Sequence, residues 1–122
     1  MKTDGIKLLI CDDSILARKN MTDHLRSFGF TDIKEVSNGD DAVREYMHDK
    51  PDLVFLDIVM PVKDGVTATK EIIAFDSKAK IVIVSSVGTQ ANLREVIKAG
   101  AKDFIQKPVD AELLKQVIEH CL

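Results

Sequence analysis

The sequence predicts a doubly wound α/β fold, in which a five-stranded parallel sheet carries helices on both faces. Three observations support this. Short apolar runs alternate with longer helical patterns along the chain, the runs at Leu53–Leu56 and Ile81–Val84 are apolar at every position, and Gly, Pro and capping residues stand where the pattern changes. A strand covered on both faces reads as continuously apolar, whereas one open to water on one face alternates. Alternating β-α units demand right-handed crossovers, hence parallel strands with helices packed over both sides.

The first run is Ile6–Cys11. After it, Met21, Leu25 and Phe28 recur at i, i+4 and i+7, one face of a helix, and Gly29 stands where a left-handed residue ends it. The second run is Ile33–Val36. Asn38 can cap the next helix, with Asp40 and Asp41 in the first turn, where the helix dipole favours negative charge. Val43 and Met47 form its apolar positions, and Lys50-Pro51 closes it. Leu53–Leu56 is the third run, and the alternation leaves a third helix to the stretch before Ile81. Ile81–Val84 leads to a stripe of Leu93, Val96 and Ile97, stopped at Gly100. The fifth run, Phe104–Ile105, is short. Asp110 can cap the last helix, with Val109 and Leu114 as a hydrophobic staple and Leu114, Val117, Ile118 and Cys121 as its stripe.

A chain of 122 residues has the size of one domain, so residues 1–122 read as a single unit. It can bury about two-thirds of its unfolded surface and needs no covalent staples. Hydrophobic residues make up 45% and charged residues 30%, the balance of a soluble globular protein. Twenty acids against seventeen bases leave a net charge of −3 and no basic run, which argues against direct nucleic-acid binding. No apolar stretch approaches the ~20 residues of a membrane span. Met1-Lys2-Thr3-Asp4-Gly5 lacks a signal-peptide core, so a cytoplasmic protein is expected. Cys11 and Cys121 make neither a disulfide nor a zinc framework and read as small core residues. His24, His48 and His120 show no metal-ligand spacing and read as solvent-facing.

In doubly wound sheets the ligand site lies beyond the C-terminal ends of the strands. Asp12 and Asp13 follow the first run, Asp57 the third, Ser85 and Ser86 the fourth, and Lys107 the fifth. Each has an ordinary reading alone: an acidic pair caps helices, an Asp ending a strand makes turns, and Lys-Pro is a surface loop. Their placement on one rim points instead to chemistry. Three close carboxylates repel unless a cation or protons intervene, and oxygen-only ligands suit Mg2+. Asp13 and Asp57 are expected to bind it directly and Asp12 through water, with the Val59 carbonyl as a further oxygen. Asp57 could then attack a phosphoryl donor, while the compact charge of Lys107 and the Ser85 hydroxyl hold its oxygens.

The segments Leu8-Leu9-Ile10-Cys11-Asp12-Asp13-Ser14, Asp57-Ile58-Val59-Met60-Pro61 with Asp64-Gly65, Val84-Ser85-Ser86, and Ala99 through Pro108 carry a family resemblance. Over essentially the whole chain the sequence resembles the receiver domains of two-component response regulators, in particular the free-standing chemotaxis (CheY-like) type. The resemblance implies a flavodoxin-like, CheY-like fold with strand order 2-1-3-4-5. It also implies a histidine kinase as phosphodonor, Asp57 as acceptor and a cis Lys107-Pro108 bond. The switch pair would be Ser85 and Phe104, with Ser86 as the alternative one position on. Phosphorylation would draw Ser85 toward the phosphoryl group, shift the loop from Ser86 to Thr89 and turn Phe104 inward. The face of the fourth helix, fifth strand and fifth helix would then change shape for a downstream protein target. Because the chain stops soon after the fifth helix, output is expected to pass through that partner.

Two positions depart from the family's commonest pattern. Val59 and Val87 flank what in the family is the path of the hydrolytic water, and neither can activate it, so slow self-dephosphorylation is expected. Three other functions compete with this reading. An Asp-nucleophile phosphatase of the haloacid-dehalogenase type would place a second Asp where Val59 stands. A flavin module would not set Asp12 and Asp13 where a phosphate must sit. A receiver-fold interaction module that signals without phosphorylation would not need the full set of Asp12, Asp13, Asp57, Ser85 and Lys107.

Overall fold

The computed structural model describes residues 1–122. Strands β1 (Lys7–Cys11), β2 (Asp32–Val36), β3 (Leu53–Leu56), β4 (Ile81–Ser85) and β5 (Asp103–Gln106) alternate with helices α1 (Ile15–Ser27), α2 (Gly39–Asp49), α3 (Gly65–Phe75), α4 (Gln90–Ala99) and α5 (Ala111–Cys121). All strand pairs are parallel, in the order β2-β1-β3-β4-β5. This is the doubly wound arrangement the alternation predicts, in the flavodoxin-like strand order the resemblance implies. No helix is long and apolar enough to cross a membrane.

The three central strands are buried at almost every position, as their largely apolar runs require. Successive side chains of a strand point to opposite faces, and two cores result. Leu9, Val54, Leu56, Ile81 and Ile83 pack against Val43 and Tyr46 of α2, Ile72 of α3 and Val96 of α4. Leu8, Ile10, Phe55, Val82 and Val84 pack against Met21 and Leu25 of α1 and Leu114 and Ile118 of α5. Register fixes the rim. Cys11 stands opposite both Val36 and Leu56, and Ser85 stands opposite Gln106, so Asp12, Asp57 and Lys107 all emerge at the same end of the sheet.

Helix ends follow the capping chemistry. The N–H of Asp41 donates to Asn38 Oδ1 at 2.8 Å, and that of Leu113 to Asp110 Oδ2 at 3.0 Å. Gly29 (φ 106) and Gly100 (φ 117) close α1 and α4 with paired Schellman bonds, Phe30 to Leu25 and Gly29 to Arg26, then Ala101 to Val96 and Gly100 to Ile97. Lys50 ends α2 in the left-handed region, one residue before Pro51.

Two helix faces differ from the periodic reading. In α2 the buried residues are Ala42, Val43 and Tyr46, while Met47 is exposed. The Tyr46 ring enters the core and its hydroxyl, at the edge, donates to Asp76 Oδ2 at 2.8 Å. In α4 only Val96 is buried, and Leu93 and Ile97 face out, because the helix packs on α3 beside a short edge strand. His48 and His120 are exposed as expected, but His24 is half-buried.

The loop from β3 to α3 contains an irregular turn. Val62 sits at φ 69, and the Lys63 N–H donates to the Pro61 carbonyl at 2.7 Å, closing a γ-turn of the strained positive-φ kind. A β-branched residue is ill suited to that region, where an L side chain costs about 1–2 kcal/mol. The Val62 side chain is 82% exposed and loses no core contact when removed. Val62→Gly should therefore raise unfolding free energy by about 1 kcal/mol, read by urea denaturation. A destabilised variant would show that the turn is not strained.

Candidate functional site

Asp12 leaves β1 with its N–H donating to the Val36 carbonyl at 3.2 Å. Its Oδ1 accepts from the Ser14 N–H at 2.9 Å, and Ser14 in turn caps α1 through the Ala17 N–H at 3.2 Å. Asp57 is tied to β1 by its N–H donating to the Cys11 carbonyl at 3.0 Å, and its Oδ1 accepts from the Ile58 N–H at 2.7 Å. Asp12 and Asp57 are buried and Asp13 is exposed, and oxygens from all three lie within 4.8 Å of one another. Gly65 is needed close by, since a Cβ there would lie 2.1 Å from the Asp57 carbonyl oxygen.

Lys107 closes the cluster. Its Nζ donates to Asp12 Oδ2 at 2.6 Å and to Asp57 Oδ2 at 3.0 Å. Burial pulls its pKa down, but the bonds and attraction from Asp12 and Asp57 outweigh that, and the net direction is upward. The peptide bond from Lys107 to Pro108 is cis. A cavity of about 100 Å³ opens beside these side chains, with Ala17, Asn20 and Pro108 in its wall. Beneath them, burial and the neighbouring Asp12 charge push the Cys11 thiol up to about 12, and the thiol lies 3.1 Å from the Asn38 carbonyl.

The structure thus brings together Asp12, Asp13, Asp57 and Lys107. Ser85 is fully buried at the adjacent strand end, where its Oγ accepts the Val87 N–H at 3.2 Å. Phe104 is half-buried and packed against the core on the α2-α3-α4 side. Val59 is exposed and Val87 half-buried, so neither offers a polar side chain at the rim.

The chain matches the family model of the response regulator receiver domain over residues 8–119. It belongs to that family. The chemotaxis protein CheY of Bacillus subtilis is 42% identical over 116 residues, covering 95% of this chain and 97% of that protein. A chain of the CheX-CheY-BeF3-Mg2+ complex from Borrelia burgdorferi superposes with a TM-score of 0.90 at 34% identity, covering 96% of this chain and 90% of that one. The receiver domain of the sensor histidine kinase PA1611 from Pseudomonas aeruginosa, with a magnesium ion coordinated in its active-site cleft, gives 0.87 at 26% identity over 95% and 96% of the two chains. This receiver domain is accordingly a phosphorylation-activated response regulator of two-component signalling. It is a signalling phospho-acceptor rather than an enzyme of the ordinary turnover kind.

Sequence reasoning missed Arg18. Its Nη1 donates to the Asp12 carbonyl at 2.6 Å and its Nε to Glu35 Oε1 at 3.2 Å, pinning the turn that presents Asp12 and Asp13. A lone base one turn into a helix gives little signal, because its partners lie just past β1 and on β2.

Lys107 is the cation that offsets the acidic trio in the metal-free receiver domain. Lys107→Met should lower stability in EDTA at pH 7 by about 1–3 kcal/mol, since it leaves buried acceptors unpaired. The raised folded pKa fixes the pH window. The ion pair's contribution is complete below the unfolded lysine value of about 10.4 and is lost as pH rises through the folded value, so the gap between wild type and variant should close above that point. Urea denaturation at pH 7 and above pH 10 reads both effects. Equal stabilities at pH 7 would contradict the pairing.

Proposed function

We propose that residues 1–122 act as one receiver unit in which Asp57 accepts a phosphoryl group from a phosphohistidine on a histidine kinase. The observation that carries this reading is the convergence of Asp12, Asp13 and Asp57 within 4.8 Å of one another, bridged by Lys107. An all-oxygen, carboxylate-rich donor set at that spacing fits Mg2+ rather than a softer metal. Asp13, Asp57 and the Val59 carbonyl would hold the ion, with Asp12 acting through water. The Val59 carbonyl accepts no backbone hydrogen bond. Bound there, Mg2+ supplies the positive charge that lets phosphoryl oxygens approach three carboxylates.

A carboxylate oxygen of Asp57 attacks phosphorus as the phosphorus–nitrogen bond breaks, and the imidazole leaves with the electron pair. Lys107 already spans Asp12 and Asp57, and its flexible stem can follow a phosphoryl oxygen during the transfer. Ser85 has a hydrogen to donate, because accepting from Val87 leaves the O–H free. Drawing that hydroxyl toward the phosphoryl group pulls the Val87 N–H and its loop with it. Phe104 can then turn inward, and the α4-β5-α5 face changes. Leu93, Ile97 and Leu113 are exposed there, so the downstream protein target reads a surface with apolar anchors. Neither nucleic acid nor membrane takes part in this reading.

Incubating the protein with Mg2+ and a small acyl phosphate should add one acid-labile phosphoryl group, detected by intact-protein mass spectrometry. Asp57→Asn should add none. An unmodified wild type at saturating donor and metal would overturn the assignment.

Val59 and Val87 place no base or amide near the acyl phosphate, so self-dephosphorylation is slow. Val59→Asn and Val87→Glu should each speed phosphoryl decay, about tenfold or more if the new group orients water as a general base does. Decay in the purified protein after donor removal reads this. Variants that lose the group no faster than wild type would refute it.

A further inference from the structure

Lys63 ties the strained β3-α3 loop to side chains on both α2 and α3. Its Nζ donates to Glu71 Oε1 on α3 at 2.8 Å and to Asp40 Oδ1 on α2 at 3.3 Å, with the side chain only 20% exposed. Arg44 shares Asp40 at 3.5 Å, so Glu71 is the firmer partner. The backbone of the same residue is held as well. Its carbonyl accepts the Gly39 N–H at 3.1 Å, and a Cβ on Gly39 would lie 2.1 Å from that oxygen. Lys63 also donates the hydrogen bond that closes the γ-turn at Val62. Ile58 and Met60 anchor the start of the loop in the core and Asp64 its end on Thr67, so Lys63 is the brace on the strained turn between them.

We infer that Lys63 is a positioning residue for Mg2+. By clamping the loop to α2 and α3 it holds the strained turn at Val62, and with it the Val59 carbonyl, in the shape the ion requires. The inference rests on the metal site proposed above. The loop runs from Asp57 to Gly65, both ends fixed: Asp57 by its N–H on Cys11, Gly65 by its N–H on the Ile58 carbonyl at 2.7 Å. The stretch between those anchors has Val62 at φ 69 and no helix or strand bonding. Ile58 and Met60 stay packed in the core, so without the clamp the turn can relax toward negative φ and tilt the exposed Val59 peptide between them.

The sign of the effect separates this from simple electrostatics. Removing a positive charge near an acidic cluster favours cation binding by Coulomb attraction alone. Loss of a positioning contact weakens it. The two accounts predict opposite shifts.

The test is a titration of the full chain with Mg2+ alone, followed by backbone amide shifts of residues 57–65, with urea denaturation of each variant as a folding control. Lys63→Met should bind Mg2+ about tenfold more weakly than wild type, the lower end of the effect of removing an outer-shell partner. Lys63→Arg, which keeps both ion pairs, should stay close to wild type. Adding Val62→Gly to Lys63→Met should recover most of the lost affinity, because glycine adopts positive φ without strain and needs no clamp. Unchanged or tighter binding by Lys63→Met, with stability lowered or not, overturns the inference while leaving the metal site intact. Failure of Val62→Gly to recover affinity overturns it too. A wild type that binds no Mg2+ overturns the metal reading and this inference with it.

Discussion

Repulsion among three carboxylates is the constraint on which the rest of this molecule depends. Oxygens of Asp12, Asp13 and Asp57 lie within 4.8 Å of one another, and the charges of the buried Asp12 and Asp57 are poorly screened. The surrounding structure answers that repulsion group by group. Lys107 reaches across from β5 to two of the three, and the backbone N–H groups of Ser14 and Ile58 take one oxygen each from Asp12 and Asp57. Arg18 secures the turn from below through the Asp12 carbonyl. A site balanced in this way favours any ligand that brings positive charge, and with that charge present it favours an anion. In the proposed reading, metal binding and phosphoryl acceptance are two consequences of one electrostatic arrangement.

The mechanical side of the site is divided between two loops of different character. The loop after β3 is braced by Gly39, Lys63 and Gly65, and it stores strain at Val62. The loop after β4 is held more lightly, through the Ser85 hydroxyl and the Val87 N–H, with Gly88 lying against the Gln106 side chain. In the proposed reading, a rigid loop suits the one that would present a metal ligand at fixed distance. In the same reading, a lightly tethered one suits a segment that would move when the Ser85 hydroxyl is drawn to a new partner. The exposed Leu93 and Ile97 fit the same division, since a helix only partly committed to the core can change its presentation at small energetic cost.

Much of this was legible in the sequence because it depends on local period and on a topological rule. The uninterrupted runs at Leu53–Leu56 and Ile81–Val84 could only be strands covered on both faces, and both are. Asn38, Asp110, Gly29 and Gly100 marked helix ends by chemistry that acts within a few residues, and each sits where that chemistry places it. The rule that ligands gather beyond the strand ends then brought Asp12, Asp13, Asp57 and Lys107 together from three separate segments. The periodic pattern misled where a side chain has two characters or a helix has little to pack on. Tyr46 buries its ring and keeps its hydroxyl on Asp76, so it takes the core position that Met47 was expected to hold. The stripe of Leu93 and Ile97 had the period of a buried face but lies beside a short edge strand.

The sequence by itself determined the order and kind of the elements, the rim, and the residue types that meet there. These follow from hydrophobic period, capping and parallel connection, all of which are written in near neighbours. Tertiary structure alone decided how that rim is held: Arg18 on the Asp12 carbonyl, Lys63 between Asp40 and Glu71, Ser85 turned back on Val87, and Val62 forced to positive φ. Each of these depends on the distance and direction between groups on different elements or across a turn. No pattern along the chain encodes such distances, because they are set by how the helices settle on the sheet.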